Sequence, residues 1–519
     1  MITITKNRQY FKTQYFLFLL FWAPAVCLWI VPGDIRAQTN TQAVAPAENK
    51  AEQPGLTGIE YVDIRNGFVL RPPRGSIPFS TPPTDLTCPK QDPCLAVPDL
   101  SSWQLVKIPP SQELVRFVQM LDKGQNILSV YLLAAKKQMN IEQMLQDRSG
   151  FWKQYPQQAT IKQEKTDIIN NRQAALITVL WKGKGKAKAT QILDEALIQN
   201  EKDRYFLLRL TTPNGSADTV TNAAKLSAAV RNSFNCLGKD EEDRRWEQAR
   251  KQAQALWQGT KPEQIQKLAL EESWFRLHRC DKDIGFLQIN EKWQQEKTKQ
   301  QFVINVQGYI NNERDGIVLA HLQGWQGVLP GGNGSVKMPA GPVRLIGREV
   351  LDGSRAGEQF EHQLLSVNGP SKQYRELGQW QGNNLIINRF NPDQKDDKGI
   401  TEKLEVDPQV YLPQAAKVIL PRLVERKPGR EYVFMEYYNR VLCYYVLRVA
   451  AEETLTIGKE QVKTVYLIGQ AGAQGPIIEI WLDEKGQIVR QRGGGLVLER
   501  STAEAIKKIW PNQLGGGKK

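Results

Sequence analysis

Few residues in this chain have the types and spacing that catalysis or metal binding requires. Of its 519 residues, three are histidines and six are cysteines. His278 and Cys280 stand two apart and would share one face of a strand, but a metal site needs two further ligands from distant positions. Glu361 and His362 are adjacent, so a strand would point them to opposite faces. We interpret all four as structural residues and predict no metal site.

A nucleophilic cysteine is also disfavoured. Cys443 lies in an alternating apolar pattern, without a small-residue turn or a helix N-terminus that would lower the pKa of its thiol. The G-x-S-x-G, HExxH, P-loop and EF-hand patterns are missing from the sequence. We predict no catalytic residue and no cofactor, and we favour a non-catalytic protein. A carboxylate-dependent hydrolase remains an alternative, because catalytic Asp and Glu pairs have no fixed spacing.

Two other cysteines have a spacing that suits a disulfide bond. Cys88 and Cys94 lie in one proline-rich stretch and could close a small loop in an oxidising compartment. Cys236 and Cys280 flank a helical segment and could form a second bond. The sequence contains no CxxC…CxxC signature that would favour zinc binding instead.

The chain is basic, and its positive charges are mostly scattered. The formal net charge is +14, which in a cytosolic or nuclear protein would suggest nucleic acid as a partner. Four lysines alternate with small residues in one run: Lys182, Lys184, Lys186 and Lys188. We interpret this run as a solvated hairpin tip, with a contact to an anionic partner as the alternative.

The N-terminus predicts export. Residues 1–14 are polar and basic, an uncharged apolar run follows from Tyr15 to Val31, and Ala37 offers a small residue at the expected cleavage position. We predict a signal peptide that is cleaved after Ala37, and a location in the periplasm or cell envelope. No nucleic acid is then expected as a partner. The alternative is an uncleaved N-terminal segment in contact with the membrane, although Pro24 interrupts a run that is short for a span.

Hydrophobic periodicity divides the remainder into a mixed half and a strand-rich half. Asn140 and the apolar positions after it predict a helix over Ile141–Tyr155, and a second helix is predicted over Asp218–Phe234. The strands around these helices follow an α+β order rather than alternating βαβ units. A nucleotide site of the Rossmann type is therefore disfavoured.

A helical connector follows the mixed half. The positions from Trp246 to Trp257 form one apolar stripe, which we expect to pack on a neighbouring domain. Thr260 and Glu263 predict a capping box at the start of a second helix that runs to about Phe275.

The sequence thus predicts an α+β protein in which a small antiparallel α+β sandwich is joined by helices to a large antiparallel β half-barrel. The predicted segments are a signal peptide (1–37), a flexible linker (38–57), an α+β domain (58–237), a helical connector (238–273), a half-barrel-like domain (274–511) and a flexible tail (512–519).

Five stretches of the α+β domain follow a known order: Gly67–Pro73, Ile141–Tyr155, Arg172–Trp181, Tyr205–Thr211 and the closing helix Asp218–Phe234. In this order the domain resembles the PsbP-like family, named for an extrinsic photosystem II protein. The resemblance implies a central antiparallel sheet flanked by helices and an adaptor-like domain. It brings no catalytic residue with it.

Short motifs extend over nearly all of the second half: Trp274–Leu277, Asp283–Phe286, Lys427–Gly429 and Ile480–Asp483. Through them it resembles uncharacterised exported half-barrel domains, which are similar in build to periplasmic lipoprotein-localisation carriers. This resemblance implies an open curved sheet whose concave face can hold an acyl chain.

Two neighbouring predicted strands, Tyr432–Tyr438 and Val441–Val449, are apolar at odd and at even positions alike. This pattern is typical of strands whose two faces are both covered. One cover is expected to be the adjacent helix Pro413–Val424, and the other is the chain itself, a ligand or another subunit. Our first hypothesis is therefore an exported protein that binds a lipid or another amphiphile in the half-barrel, with the binding residues unassigned. The second is an interaction module that assembles an envelope complex with a protein partner through the Trp246–Trp257 helix and the basic run of lysines.

Overall fold

Antiparallel strands form most of this protein. The computed structural model describes residues 55–79, 111–121, 124–134, 140–182, 190–201, 204–215, 217–279, 282–296, 299–312, 341–353, 357–367, 373–390, 399–438, 441–457, 460–472, 475, 477–493 and 496–513. Strands account for 58% of the structure and helices for 22%, which confirms the predicted α+β class. In these ranges no helix is both long and apolar enough to cross a bilayer. The predicted signal peptide lies outside the described residues.

The first half of the chain builds two antiparallel sheets. The larger one contains Ile77–Phe79 (β3), Ser111–Met120 (β4), Gln125–Ala134 (β5), Ala159–Ile169 (β6), Arg172–Lys182 (β7), Thr190–Gln199 (β8) and Arg204–Pro213 (β9). Its strand order is β3-β4-β5-β9-β8-β7-β6. The smaller sheet contains Tyr61–Asp63 (β1), Phe68–Leu70 (β2) and Asn235–Cys236 (β10).

Two helices pack on the larger sheet, Ile141–Lys153 (α1) and Ala217–Ser233 (α2). Helix α1 begins as predicted, because the Asn140 side chain accepts a hydrogen bond from the Gln143 backbone N–H at 2.9 Å, and the Gln143 side chain accepts one from the Asn140 N–H at 3.0 Å. We call strands β1–β10 with these two helices the first module.

A buried ion-pair network joins α1 to the centre of the larger sheet. Glu195 accepts hydrogen bonds from the Arg148 guanidinium at 2.6 Å, from Arg209 Nε at 2.8 Å and from Trp152 Nε1 at 3.0 Å. Burial alone would raise the pKa of Glu195, but the charges of the two arginines outweigh it and lower the pKa to about 2. The carboxylate is therefore ionised throughout the ordinary pH range.

The helical connector consists of Lys239–Gly259 (α3) and Pro262–Leu268 (α4). The predicted apolar stripe of α3 is buried at Ala249, Ala253 and Trp257. Helix α3 packs on a strand of the second half. This confirms that the stripe faces a neighbouring part of the chain.

Helix α4 is shorter than predicted and starts later. Thr260 does not cap it; its hydroxyl donates to the Leu256 carbonyl at 2.7 Å and so closes α3. Pro262 supplies the fixed backbone angle of the first helical position. The expected extension to Phe275 is wrong, because this residue already pairs with Leu287 and Arg500 in a strand.

Fourteen strands of the described residues form one antiparallel sheet in the second half. They are Ser273–Arg279 (β11), Lys282–Glu296 (β12), Lys299–Asn312 (β13), Gly341–Asp352 (β14), Gly357–Ser366 (β15), Gln373–Gln381 (β16), Asn384–Phe390 (β17), Ile400–Glu405 (β18), Glu431–Tyr438 (β19), Val441–Ile457 (β20), Glu460–Ala471 (β21), Ile477–Leu482 (β22), Ile488–Gly493 (β23) and Leu496–Ser501 (β24). The order is β18-β17-β16-β15-β14-β13-β12-β11-β24-β23-β22-β21-β20-β19. Two helices accompany this sheet, Gln414–Leu423 (α5) and Ala503–Ile509 (α6).

The sheet curls around helix α5. This helix reaches Glu358 on β15, Glu291 on β12 and Glu436 on β19. Strands β15 and β19 are ten steps apart in the sheet, which would be about 48 Å if the sheet were flat, whereas a ten-residue helix is about 15 Å long. One helix can contact both only if the sheet bends round it. We call this sheet with α5 the half-barrel.

The half-barrel is not a closed barrel in its described strands, since β18 and β19 remain its two edges. The segment after β18 nevertheless meets β19, because Leu412 N–H donates to the Met435 carbonyl at 2.7 Å and Met435 N–H donates to the Val410 carbonyl at 2.8 Å. The predicted half-barrel is thus present, and its concave side contains a helix.

The outer face of β19 and β22 is covered by the rest of the chain. Val433 on β19 packs with Ile64 of the first module and with Ala249 of α3, and Ile477 on β22 belongs to the core of the first module. These two strands are therefore buried on both faces within the protein itself. The chain thus supplies the second cover of Tyr432–Tyr438, whereas β20 stays exposed at Val441 and Tyr444.

Replacing Glu195 with Gln is expected to lower the free energy of unfolding by about 3–5 kcal/mol, because two buried guanidinium groups would lose their counter-charge. Urea unfolding monitored by circular dichroism measures this. In the wild type the stabilising effect is complete above the ordinary carboxyl pKa of 4.5 and is lost as the pH falls from there towards 2.

The matched control is Glu164→Gln on the exposed strand β6, which should change the unfolding free energy by less than about 0.5 kcal/mol. A Glu195→Gln protein as stable as this control would show that the network does not hold the first module together.

Candidate functional site

A cavity lies inside the half-barrel, between α5 and strands β19–β23. Its empty space amounts to about 460 Å³, including the part that is open to solvent. The lining residues come from the helix and from five neighbouring strands: Lys417, Leu420, Pro421, Glu436, Tyr438, Tyr445, Ala471, Ile478, Ile480 and Gln491. We call this cavity the α5 pocket.

The pocket wall is apolar because strand alternation points aliphatic side chains inward. Ile478 and Ile480 alternate on β22 and face α5, together with Ala471 at the end of β21. Leu420 and Pro421 complete the wall from the last turn of the helix. Such a surface suits a short hydrocarbon chain.

A buried ion pair forms one polar part of the pocket. Lys417 Nζ lies 2.8 Å from Glu436 Oε2 and donates to the Tyr437 carbonyl at 3.2 Å. Burial raises the pKa of Glu436, and the neighbouring Lys417 charge opposes that shift. The two charges compensate each other, so the pair adds no net charge to the site.

Gln491 on β23 is the second polar group of the pocket. Its side chain is completely buried, and neither Oε1 nor Nε2 finds a hydrogen-bond partner in the described part of the protein. A buried amide normally has both its donor and its acceptor paired. Both amide atoms have almost no accessible surface, so Gln491 belongs to the packed wall of the pocket and does not present its amide to the cavity.

Two tyrosines complete the lining. Burial raises the pKa of the Tyr438 and Tyr445 phenols, so both remain neutral over the physiological range. Neither can serve as a phenolate nucleophile. Of the residues that the structure describes around the pocket, Glu436 is the single carboxylate and no histidine or cysteine is present.

The first module supports the pocket wall from outside. Arg65 donates to the carbonyls of Gly472 and Tyr444, which directly follow and precede the lining residues Ala471 and Tyr445. Trp246 of α3 packs edge-on against the Tyr444 ring at 5.4 Å. The strands that form the pocket are thus fixed on their outer face by the other half of the chain.

A second buried polar cluster lies at the N-terminus of α5. Glu358 accepts hydrogen bonds from the Tyr411 hydroxyl at 2.8 Å and from the Gln414 backbone N–H at 2.6 Å. Burial raises the pKa of Glu358 to about 8, an effect that the nearby Glu349 reinforces and Lys417 opposes. This carboxyl satisfies a free backbone donor of the helix and holds α5 in the half-barrel.

The histidines of the sequence analysis occupy structural positions. His278 Nδ1 lies 3.0 Å from Asp283 Oδ1. His362 is buried 3.1 Å from Glu349, whereas its neighbour Glu361 lies on the opposite face of β15, where Arg375 donates to it at 2.7 Å. The described residues contain no group of three or more potential metal ligands.

The cysteines show no sign of activation. Cys443 is half-buried on β20, opposite Glu436, and burial raises the pKa of its thiol to about 12. Cys236 is a buried free thiol, and burial likewise raises its pKa to about 12. Cys280 and the proposed disulfide pair Cys88 and Cys94 lie outside the described residues.

The basic run is described only at its first residue. Lys182 is exposed at the end of β7, in agreement with a solvated position. Lys184, Lys186 and Lys188 lie outside the described residues, so a contact with an anionic partner stays a prediction.

The pocket residues Lys417, Glu436 and Gln491 were missed by sequence reasoning. One signal was available: Lys417 is a charged residue in the apolar run QAAKVIL, where an enclosed helix would need a carboxylate partner. Gln491 gave no such signal, because β23 reads as a polar strand, IVRQRG.

Comparison with known proteins finds distant structural similarity without a matching family. No model of a known protein family matches the chain, and no curated protein matches it. A solution structure of the PsbP protein of Synechocystis sp. PCC 6803 is similar to this chain with a TM-score of 0.24 and 13% identity, over 37% of this chain and 98% of that chain.

Two further solved structures are similar to parts of this chain. A β-barrel-like protein of unknown function from Brucella abortus has a TM-score of 0.29 and 9% identity, over 44% of this chain and 94% of its own. The Ran-binding protein Mog1p of Saccharomyces cerevisiae has a TM-score of 0.22 and 13% identity, over 35% and 97%. At such scores none of them indicates a function. The likeness to lipoprotein-localisation carriers stays a prediction.

Replacing Glu358 with Gln is expected to change how stability depends on pH. Between the ordinary carboxyl pKa of 4.5 and about 8 the folded wild type keeps a proton that the unfolded chain has lost, so its stability falls as the pH rises through this range. The glutamine variant lacks this group, so its stability relative to wild type should rise from pH 5 to pH 9, by a few kcal/mol. Denaturant unfolding at pH 5, 7 and 9 measures the difference.

Glu405→Gln, on the exposed side of β18, is the control, and its stability should follow that of wild type at each pH. Parallel curves for Glu358→Gln and wild type would contradict the assignment of a proton to Glu358.

Proposed function

We propose that this protein is a non-catalytic binding protein whose half-barrel holds a small amphiphilic molecule in the α5 pocket. The observation that carries the proposal is the mainly apolar cavity between α5 and strands β19–β23. A ligand with an apolar chain and a polar end would remove this wall from water and keep its polar end in the part of the cavity that is open to solvent.

Binding without chemistry is supported by the state of the surrounding groups. Lys417 and Glu436 neutralise each other, and the tyrosine phenols stay protonated. A carboxylate-dependent hydrolase would need two carboxyl groups facing the substrate, and Glu436 is the single carboxylate among the described lining residues. The geometry therefore favours retention of a ligand over its conversion.

The assembly of an envelope complex is less well supported. The apolar stripe of α3, which suggested a partner surface, is occupied by the half-barrel, with Trp257 in its core and Trp246 against Tyr444. The run of lysines is the remaining sequence feature that favours a protein partner.

We also propose that the protein acts outside the cytoplasm. The support is the N-terminal pattern of a basic segment, an apolar run and Ala37. Cell fractionation followed by N-terminal sequencing should give a mature chain that begins at Gln38. A full-length chain in the cytosol would contradict this part of the proposal.

Binding can be tested with hexan-1-ol, a short amphiphile, by isothermal titration calorimetry on the full chain. We expect saturable binding that Ala471→Phe weakens about tenfold or more, because the phenyl ring fills the space that the ligand needs. Ala471 is buried in the pocket wall.

Ile168→Phe is the matched control, since it adds a phenyl ring at a position of β6 that is 72% exposed, and it should bind like wild type. Circular dichroism would verify that both variants are folded. If hexan-1-ol fails to bind wild type, the pocket is not an amphiphile site.

A further inference from the structure

We propose that strand β6, at the edge of the larger sheet, is a self-association surface that pairs antiparallel with β6 of a second copy of this chain. The inference concerns the first module and is independent of the α5 pocket. It follows from the exposure of β6, from the direction of its outward backbone groups and from the order of its charges.

Strand β6 is exposed on both faces and along one edge. It is the last strand of the larger sheet in the described part of the chain, so no strand there pairs with its outer edge. Residues 162–168 are all exposed, and the side chain of Ile168 is 72% exposed. The adjacent strand β7 is, in contrast, buried at Ala174 and Ala175, which point to opposite faces. The core therefore ends at β7 in this region, and β6 extends beyond it.

The backbone of β6 presents hydrogen-bonding groups along its outer edge. A turn of two residues at positive φ joins β6 to β7, and Ile169 directly precedes this turn. In such a hairpin the residue before the turn hydrogen-bonds to the partner strand, and every second residue points its N–H and C=O away from it. Glu164, Thr166 and Ile168 are the outward residues. In agreement, the Ile168 N–H donates to the neighbouring side chain of Asp167 at 2.9 Å.

The charges of β6 select one register for a symmetric pair. Two identical antiparallel strands that are related by a two-fold axis place one residue opposite itself. With Thr166 at the axis, Lys165 of each copy lies opposite Asp167 of the other on the same face of the sheet. An axis at Lys165, at Asp167 or at Glu164 would place like charges opposite each other, which is destabilising. Charges on an edge strand normally prevent pairing, but here they allow this one register.

The paired charges already attract each other within one chain. Lys165 Nζ lies 2.9 Å from Asp167 Oδ2, and both side chains are exposed. In the symmetric pair the two lysines and two aspartates would form one set of alternating sign. A charge reversal at either position therefore tests the register directly.

The pairing would join two seven-stranded sheets into one continuous antiparallel sheet. The contact spans about five residue pairs, which is less than a standard protein interface, so we expect a weak dimer with a dissociation constant on the order of ten micromolar or more. Analytical ultracentrifugation of the full chain from about 1 to 300 µM covers this range. The sedimentation coefficient should rise from that of a monomer towards that of a dimer.

Thr166→Pro removes an outward N–H at the centre of the contact. Proline is compatible with an edge strand where the N–H faces away from the sheet, so the variant should remain folded by circular dichroism and stay monomeric at every concentration. Thr166→Val is the matched control, because it keeps both the N–H and a β-branched side chain, and it should dimerise like wild type.

A charge swap tests the register without changing the backbone. Lys165→Asp should weaken dimerisation about tenfold or more, and adding Asp167→Lys to this variant should restore it to within about threefold of wild type. A wild-type chain that stays monomeric throughout, or a folded Thr166→Pro variant that still dimerises, would overturn the proposal. So would a double variant that dimerises no better than Lys165→Asp alone.

Discussion

Enclosing a helix within a curled sheet is the constraint on which the rest of the half-barrel depends. An isolated helix of ten residues is not stable in water, and α5 exists because its apolar side chains are covered on all sides. The enclosure removes water from its polar groups as well, so each needs a partner from the sheet. Glu358 binds the N-terminus, Glu436 binds Lys417, and Glu291 accepts from Arg422 at 2.8 Å. These pairs attach the helix at its start, its middle and its end.

The same enclosure explains why the protein has two halves in contact. A sheet that curls round a helix presents a convex face, and the outer side chains of β19 and β22 are too apolar to face water. Helix α3 and the first module cover them, with Ile477 in the core of the first module while its neighbour Ile478 lines the pocket. A change on one side of this strand therefore bears directly on the other. The first module acts as a support for the pocket wall, whatever further role it has.

Local patterns predicted much of this fold from the sequence, and long-range enclosure could not be predicted. The Asn140 cap, the stripe of α3 and the alternation of most strands depend on neighbouring residues, which a sequence shows directly. The predicted end of the second connector helix was wrong, because the apolar pattern around Phe275 suits a helix and a strand equally. In the structure this residue is part of a strand, which pairs with β12 and β24. The pocket was not predictable, since Lys417, Glu436 and Gln491 come together only through the bending of fourteen strands.

The unpaired amide of Gln491 is a cost of enclosing the helix and does not by itself mark a ligand site. Leaving a buried donor and acceptor unpaired costs about 1–3 kcal/mol. Other buried polar atoms of the described chain share this condition, among them Glu349 Oε2 on β14 and both side-chain atoms of Asn200 in the first module. The three ion pairs and caps that hold α5 are, in contrast, fully formed. The half-barrel therefore uses its polar contacts to position the helix, and the α5 pocket depends on that position for its shape.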